Sequence, residues 1–305
     1  MSYLKLAPAK WTWFFLVLIF AILYALDKAD IIQDGFRRLE INLQFEAVAL
    51  IIIGKLGLIL TMWAASRQCV IHLNWRETYC IYNLAQLAKY IPGSIWQFVS
   101  RIAILRARQE KSTSIRDALL AEHAWVIGSA LLLASLLAWL RHAELIDVWF
   151  GWIQPNWYWI MLSFVLVLFL IGIVNLFADR GARIGRWLYN LRPPLFLYFV
   201  LILIWFALGT ALWVTLEPFA VVMPSLLYVV AAYCFAYVVG FLAPFAPAGI
   251  GVREALLILA LTPYVGEEFS VFLAGFNRVI YFIVELFLAS VCVFKFNQTG
   301  SKRSS

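Results

Sequence analysis

The sequence predicts an all-α polytopic membrane protein of seven or eight transmembrane helices, with two further Pro/Gly-broken segments that are re-entrant or discontinuous. Three observations predict it. Of 305 residues, 64% are hydrophobic and 13% charged, against about 45–50% apolar and about 25% charged in a soluble domain. The apolar residues fall in runs near the ~20 residues that a helix needs to cross a hydrocarbon core ~30 Å thick. The Lys and Arg residues behind the net charge of +7 sit in short segments between those runs, where they set membrane orientation and do not mark a nucleic-acid surface. A single integral membrane domain is expected over 1–305, with no separate catalytic domain.

The elements follow in order. Run 11–26, preceded by Lys5 and Lys10, imitates a secretory signal. The many later runs favour an uncleaved anchor, with cleavage after Ala25 the minor alternative. Segment 27–44, with four acidic and three basic residues, reads as an outward loop before the span 45–66. Stretch 78–105 is apolar but broken at Pro92 and Gly93 in AKYIPGSIWQF, because proline removes a helical donor and glycine loosens the backbone. Arg67 and Arg76 before it and Arg106, Arg108, Lys111 and Arg116 after it prefer one side, so it should enter and leave from the cytoplasm. Span 116–140 leads to an outward segment, 141–156, with a belt of Trp149, Trp152 and Trp157. Span 157–177 returns the chain to the basic cytoplasmic loop 178–192, which carries Arg180, Arg183, Arg186 and Arg192.

Spans 195–217 and 221–242 come next, then stretch 243–262, interrupted by Pro244, Pro247, Gly249 and Gly251 in LAPFAPAGIGVRE. The acidic turn Glu267-Glu268 faces outward, and the last span, 269–294, ends in the basic tail 295–305 with Lys295, Lys302 and Arg303. Keeping that turn outside and the tail inside requires an odd number of crossings after loop 178–192. The three stretches between them supply it, whereas a hairpin of 221–242 and 243–262 sharing one crossing breaks the parity. Both termini are then cytoplasmic, in a bacterial inner membrane.

The broken stretches resemble each other: proline with small residues, an arginine (Arg101, Arg253), a short apolar helix, then a charged span. This suggests weak half-repeats over 45–140 and 195–294. Paired interrupted segments are the best sequence pointer to a transporter's binding site. Proline and glycine also kink ordinary packed helices, and the sequence leaves both readings open.

A charge at the centre of a spanning helix costs about 2.5–3.5 kcal/mol, so each needs a partner, a hydrated cavity or a use. Lys55 lies in 45–66, Glu122 and His123 in 116–140, Arg253 and Glu254 beyond the second break, and Arg278 and Glu285 in the last span. Arg278 and Glu285, seven residues apart, share a helical face. A Glu254 near a helix N-terminus, favoured by the macrodipole, frees Arg253 for a phosphate, which its planar fork suits. Structural ion pairing is the competing reading. Lys55 reads best as a structural partner of Glu122 or Glu285. His123 next to a carboxylate titrates near neutral pH or simply packs, and Trp96 and Gln97 contact a headgroup or anchor a helix end.

Cys69, Cys80, Cys234 and Cys292 show no CxxC spacing, so neither a disulfide framework nor a metal site is expected. No cofactor is expected either. His72, His123 and His142 lack ligand spacing, and no GxSxG or GxxxxGK[ST] occurs. Enzyme chemistry is thus unsupported.

KYIPGSIWQFVSR (89–101), with Glu122 in the next span, and PAGIGVREALL (247–257), with Arg278 in the span after it, resemble the lysylphosphatidylglycerol synthase transmembrane-region family. The likeness covers nearly the whole chain and is more specific at the second motif. At the first, Ser94 stands where a charged residue is common. The resemblance implies lipid translocation, with Pro92, Gly93, Arg101, Glu122, Pro247, Gly249, Gly251, Arg253, Glu254 and Arg278 forming a central cavity. It includes flippase portions that move aminoacylated phosphatidylglycerol and stand-alone proteins of polyprenyl-linked or envelope glycan pathways. The chain ends at Ser305 without the soluble aminoacyl-transferase domain, so lysyl-lipid synthesis is not expected.

The combined expectation is a flippase-like translocator of a lipid or lipid-linked saccharide in cell-envelope biogenesis, acting on membrane lipids or a polyprenyl-linked glycan, and not on nucleic acid. Its headgroup cavity would use Arg101, Glu122, Arg253, Glu254, Arg278 and Glu285. The alternatives are a non-transporting scaffold for a membrane-bound biosynthetic enzyme and an intramembrane lipid-modifying enzyme.

Overall fold

The computed structural model describes residues 3–90, 96–140, 192–243 and 246–301. Pro92, Gly93 and Ser94, the belt of 141–156, span 157–177, most of loop 178–192 and Pro244 lie outside the described residues. The rest is helix joined by short turns: α1 Tyr3–Asp27, α2 Ala29–Arg38, α3 Ile41–Gln68, α4 Trp75–Leu87, α5 Trp96–Ala107, α6 Ser112–Leu140, α7 Leu195–Leu216, α8 Leu226–Leu242 and α9 Val252–Ser301. Two 3-10 turns, Ala88–Tyr90 and Pro247–Gly249, sit beside the two breaks.

Ile41–Gln68, Ser112–Leu137, Leu195–Leu216 and Val252–Cys292 are long and apolar enough to cross a membrane, and Trp11–Asp27 and Leu226–Leu242 are shorter apolar helices. Large apolar side chains also cover the outside: Phe20 and Leu23 on α1, Phe199 on α7, and Ile283 and Phe287 on α9 are all exposed. Surface of that kind suits lipid and not water. The fold is that of an all-α, multi-pass membrane protein.

Several boundaries differ from the sequence reading. Segment 27–44, expected as a loop, holds α2, whose Phe36 ring meets Phe272 and Phe276 edge-on at 5.3 and 5.9 Å. The apolar residues Ile31, Ile32, Phe36 and Leu39 fall at helical spacing, a signal outweighed in the loop reading by the four acidic residues around them. Helix α8 starts at Leu226, not at 221, because Pro224 precedes a Ser225 cap that accepts from the Tyr228 backbone N–H at 3.3 Å. Helix in stretch 243–262 begins only at Val252, and Gly266 (φ 79°), three residues after Pro263, divides α9 into two limbs that correspond to the two expected stretches. Glu267 and Glu268 therefore open the second limb of α9, and the helix runs on to Ser301 through what was expected as a tail.

Ties between distant residues sort the chain into two ends. At one, Gln68 donates to the Arg192 carbonyl at 2.7 Å, and Arg108 pairs with Glu77 at 2.7 Å. That end carries Arg67, Arg76, Arg106, Arg108, Arg116 and Arg192. At the other, Lys28 pairs with Glu268 at 3.3 Å, the Val221 N–H donates to the Tyr264 carbonyl at 3.1 Å, and Arg38 lies 4.7 Å over Phe269. Glu77 closes a capping box with Asn74. The Asn74 N–H, and then the Arg108 guanidinium, hold its carboxyl below the ordinary value against partial burial. The hydrogen bond and charge of Glu268 raise the Lys28 ammonium above its own.

The Glu77–Arg108 pair joins the start of α4 to the end of α5, so these helices form a hairpin whose base lies at the basic end. Tyr228 donates to the Ala260 carbonyl at 2.8 Å, so α8 and the first limb of α9 form a second hairpin, based at the opposite end. This is the hairpin that the parity argument set aside. The 3-10 turns of the two hairpins, Ala88–Tyr90 and Pro247–Gly249, touch each other.

Two backbone features permit this arrangement. Helices α3 and α7 meet at a seam where a Cβ on Gly54 would lie 2.7 Å from Leu208, and one on Gly57 2.5 Å from Ile204. Small residues let helix backbones approach where lipid supplies no hydrophobic drive. At the second break Ala248, Gly249 and Gly251 have φ of 52°, 70° and 86°, and a Cβ on Gly249 would meet the Gly240 carbonyl oxygen at 2.9 Å. Gly249→Ala combines a left-handed backbone with a backbone clash. It should cost about 1–3 kcal/mol, read as a lower melting temperature in detergent, and Ala at Gly128, where a Cβ meets nothing within 4 Å, should not.

Candidate functional site

The touching turns gather charged side chains from three elements, α3, the first 3-10 turn and both limbs of α9. Glu285, on the second limb of α9 and 1% exposed, accepts from the ammoniums of Lys55 on α3 and Lys89 on the first turn. The Tyr90 hydroxyl donates to its other oxygen at 2.8 Å. The Lys55 ammonium also lies 4.2 Å over the Tyr281 ring. One carboxylate thus satisfies one buried and one partly buried cation, an arrangement that a low-dielectric interior tolerates only when paired.

Across the contact, Gly251 precedes the first turn of α9, and the Glu254 carboxylate accepts from its N–H at 2.7 Å. This is half of a capping box. It turns Glu254 back along the chain and leaves its neighbour Arg253 on another face. Arg253 is 6% exposed, and its guanidinium stacks 4.4 Å over Tyr233, with Tyr281 at 5.5 Å. No ion pair among the described residues engages it. Arg278 donates to the Ala248 carbonyl at 2.8 Å, in the left-handed turn, and sits 3.6 Å from Glu254. Arg278, Glu254 and Lys89 are the more open members, their side chains 17%, 18% and 12% exposed.

The tips therefore hold four formal cations, Lys55, Lys89, Arg253 and Arg278, against two carboxylates, Glu254 and Glu285. That surplus, set among Tyr90, Tyr233, Tyr237 and Tyr281, suits an anion such as a phosphate. Nothing in the group is placed as a nucleophile with its base.

No protein-family model matches the chain, and no curated protein is similar enough to count as a relative.

Of the residues expected to form one cavity, Arg253, Glu254, Arg278 and Glu285 come together with Gly249 and Gly251. Arg101 and Glu122 do not join them through any ion pair: Arg101 Nη1 reaches both Glu122 oxygens, at 2.9 and 2.7 Å, with both side chains buried. Each side chain in this pair already satisfies the other's charge. Of the two carboxylates open to Lys55, the structure selects Glu285. His123 packs: its Nδ1 lies 2.8 Å from the Leu119 carbonyl and its ring sits between Phe98 and Phe241. Trp96 is exposed at the start of α5.

Lys89, Tyr90 and the stacked tyrosines were missed. One signal was available. Arg101 stacks 4.8 Å over Tyr82 as Arg253 does over Tyr233, and the spacings, nineteen and twenty residues, recur across the two broken stretches.

Proposed function

We propose that the chain is a translocator of lipids with an anionic phosphate-bearing headgroup, free or saccharide-linked, with its basic end in the bacterial cytoplasm. The observation that carries this reading is the surplus of cations, two of them buried, around the contact between the two 3-10 turns. A headgroup phosphate would enter from the side of Arg278 and Lys89, exchange with the Ala248 carbonyl and with Glu285, and reach Arg253, while its acyl chains stay in lipid. Desolvating a phosphate is costly unless several charge-assisted donors replace water. The likeness of KYIPGSIWQFVSR and PAGIGVREALL to the lysylphosphatidylglycerol synthase transmembrane region points the same way.

In this reading α3–α6 and α7–α9 are inverted repeats. Support comes from hairpins based at opposite ends and from the matching Tyr–Arg stacks. The sequence holds no nucleotide-binding loop, so movement follows a lipid or proton gradient.

The test is reconstitution in vesicles of phosphatidylcholine and phosphatidylglycerol with fluorescent phosphatidylglycerol, followed by dithionite quenching. The protein should expose inner-leaflet label. Arg253→Gln and Arg278→Gln should slow exposure about tenfold or more, as expected for loss of a hydrogen bond to a charged group worth about 1.5–3 kcal/mol, with melting temperature retained. Quenching confined to the outer leaflet by folded protein, or unaltered rates in both variants, overturns the reading. A chemically changed lipid favours an enzyme.

A further inference from the structure

Away from the central cations, α5, α6 and the end of α8 enclose a groove of about 460 Å³, within the size range of small-molecule sites. Its walls are apolar, with Phe98, Ile102, Leu119 and Phe241 among them, and Arg106, Ser112 and Arg116 line its mouth. From Arg106 to Phe98 along α5 is eight residues, about 12 Å of helix, and from Arg116 to His123 along α6 about 10 Å. The groove is thus basic at the end where the other arginines collect and apolar further in. It closes on an aromatic floor, the His123 ring 4.9 Å from Phe98 and 5.6 Å from Phe241. Behind that floor lies Glu122, bound to Arg101.

We infer that this groove is a binding site for an anionic glycerophospholipid of the leaflet at the basic end, its phosphate at Arg106 and Arg116 and one acyl chain along the walls to the His123 ring. Charge complementarity selects this occupant. Arg106 is exposed and no ion pair among the described residues engages it; Arg116 is shared only with its neighbour Asp117, at 2.8 Å. An amphipathic peptide would also cover apolar walls, but two arginines and a serine hydroxyl at one end match a single anion. Leu120 and Val99, exposed on the same helices, give an acyl chain an apolar path in from the side. The inference takes its ligand class from the function proposed above, yet it requires only that the lipid bind, not that it move.

The probe is phosphatidylglycerol carrying a diazirine on its acyl chain, at trace level in phosphatidylcholine vesicles holding the full-length protein. After irradiation, label should concentrate in peptides containing Phe98–Ile102 and Leu119–His123. Unlabelled phosphatidylglycerol should compete and phosphatidylcholine should not. Each basic side chain at a membrane surface contributes roughly a fivefold gain in affinity for anionic lipid. Arg106→Gln with Arg116→Gln should therefore weaken competition roughly 25-fold. Ile102→Trp, which fills the groove, should abolish labelling of these peptides while the melting temperature stays near that of the parent. Three results overturn the inference: label spread evenly over lipid-facing helices, equal competition by the two lipids, or crosslinks from the groove to residues 157–177 of the same chain. Groove labelling without vesicle translocation would sink the translocator and leave this site standing, and translocation without groove labelling would do the reverse.

Discussion

Glu285→Gln should be among the most damaging single changes, lowering stability by about 3–5 kcal/mol, the cost of leaving a buried charge without its partner. The carboxylate is shared by Lys55 and Lys89, so the amide strands two ammoniums at once. Lys55, 1% exposed, has no route to water. The check is the melting temperature and folded yield in detergent, compared across Glu285→Gln, Lys89→Gln and the double variant. Because the groups share one network, the effects should be strongly non-additive. The double variant should melt above Glu285→Gln, since it strands one cation instead of two. Additive losses would mean that the contact between Lys89 and Glu285 contributes nothing to the fold.

Glu122→Gln should cost a similar ~3–5 kcal/mol by stranding Arg101, and here the double replacement decides a matter of function. A buried ion pair exchanged for apolar residues of similar volume is often neutral or stabilising. Arg101→Met with Glu122→Leu should therefore melt near the parent. If the pair serves structure alone, as its mutual two-oxygen contact suggests, this variant should still translocate lipid in vesicles at close to the parent rate. A stable double variant with translocation abolished would return Arg101 and Glu122 to the headgroup path.

The membrane class and the long apolar helices were legible because they rest on bulk properties: runs of apolar residues, and lysine and arginine confined between them. The charged positions were legible as well, since the cost of a charge in lipid singles out Lys55, Glu122, Arg253, Arg278 and Glu285 one at a time. Partnership was not. Lys55 and Glu285 are 230 residues apart, and nothing in local pattern distinguishes Glu285 from Glu122 as the acceptor. Lys89 was passed over because a lysine beside a break reads as an interfacial residue, whereas the 3-10 turn Ala88–Tyr90 carries it inward to Glu285. The tyrosines were hidden by their number, 13 in the chain. Only the arginine above each ring marks Tyr82 and Tyr233 out.

The close seam between α3 and α7 has a mechanical corollary. Lys55 sits next to Gly54 and two residues before Gly57, where the helices have no slack to slide, while Lys89 rides on a three-residue turn at a hairpin tip. Glu285 is consequently held from two sides, by a lysine on a tightly packed seam and by one on a short turn. The helix leading into that turn is anchored in its own right, the Tyr79 hydroxyl donating to the Leu288 carbonyl at 2.9 Å.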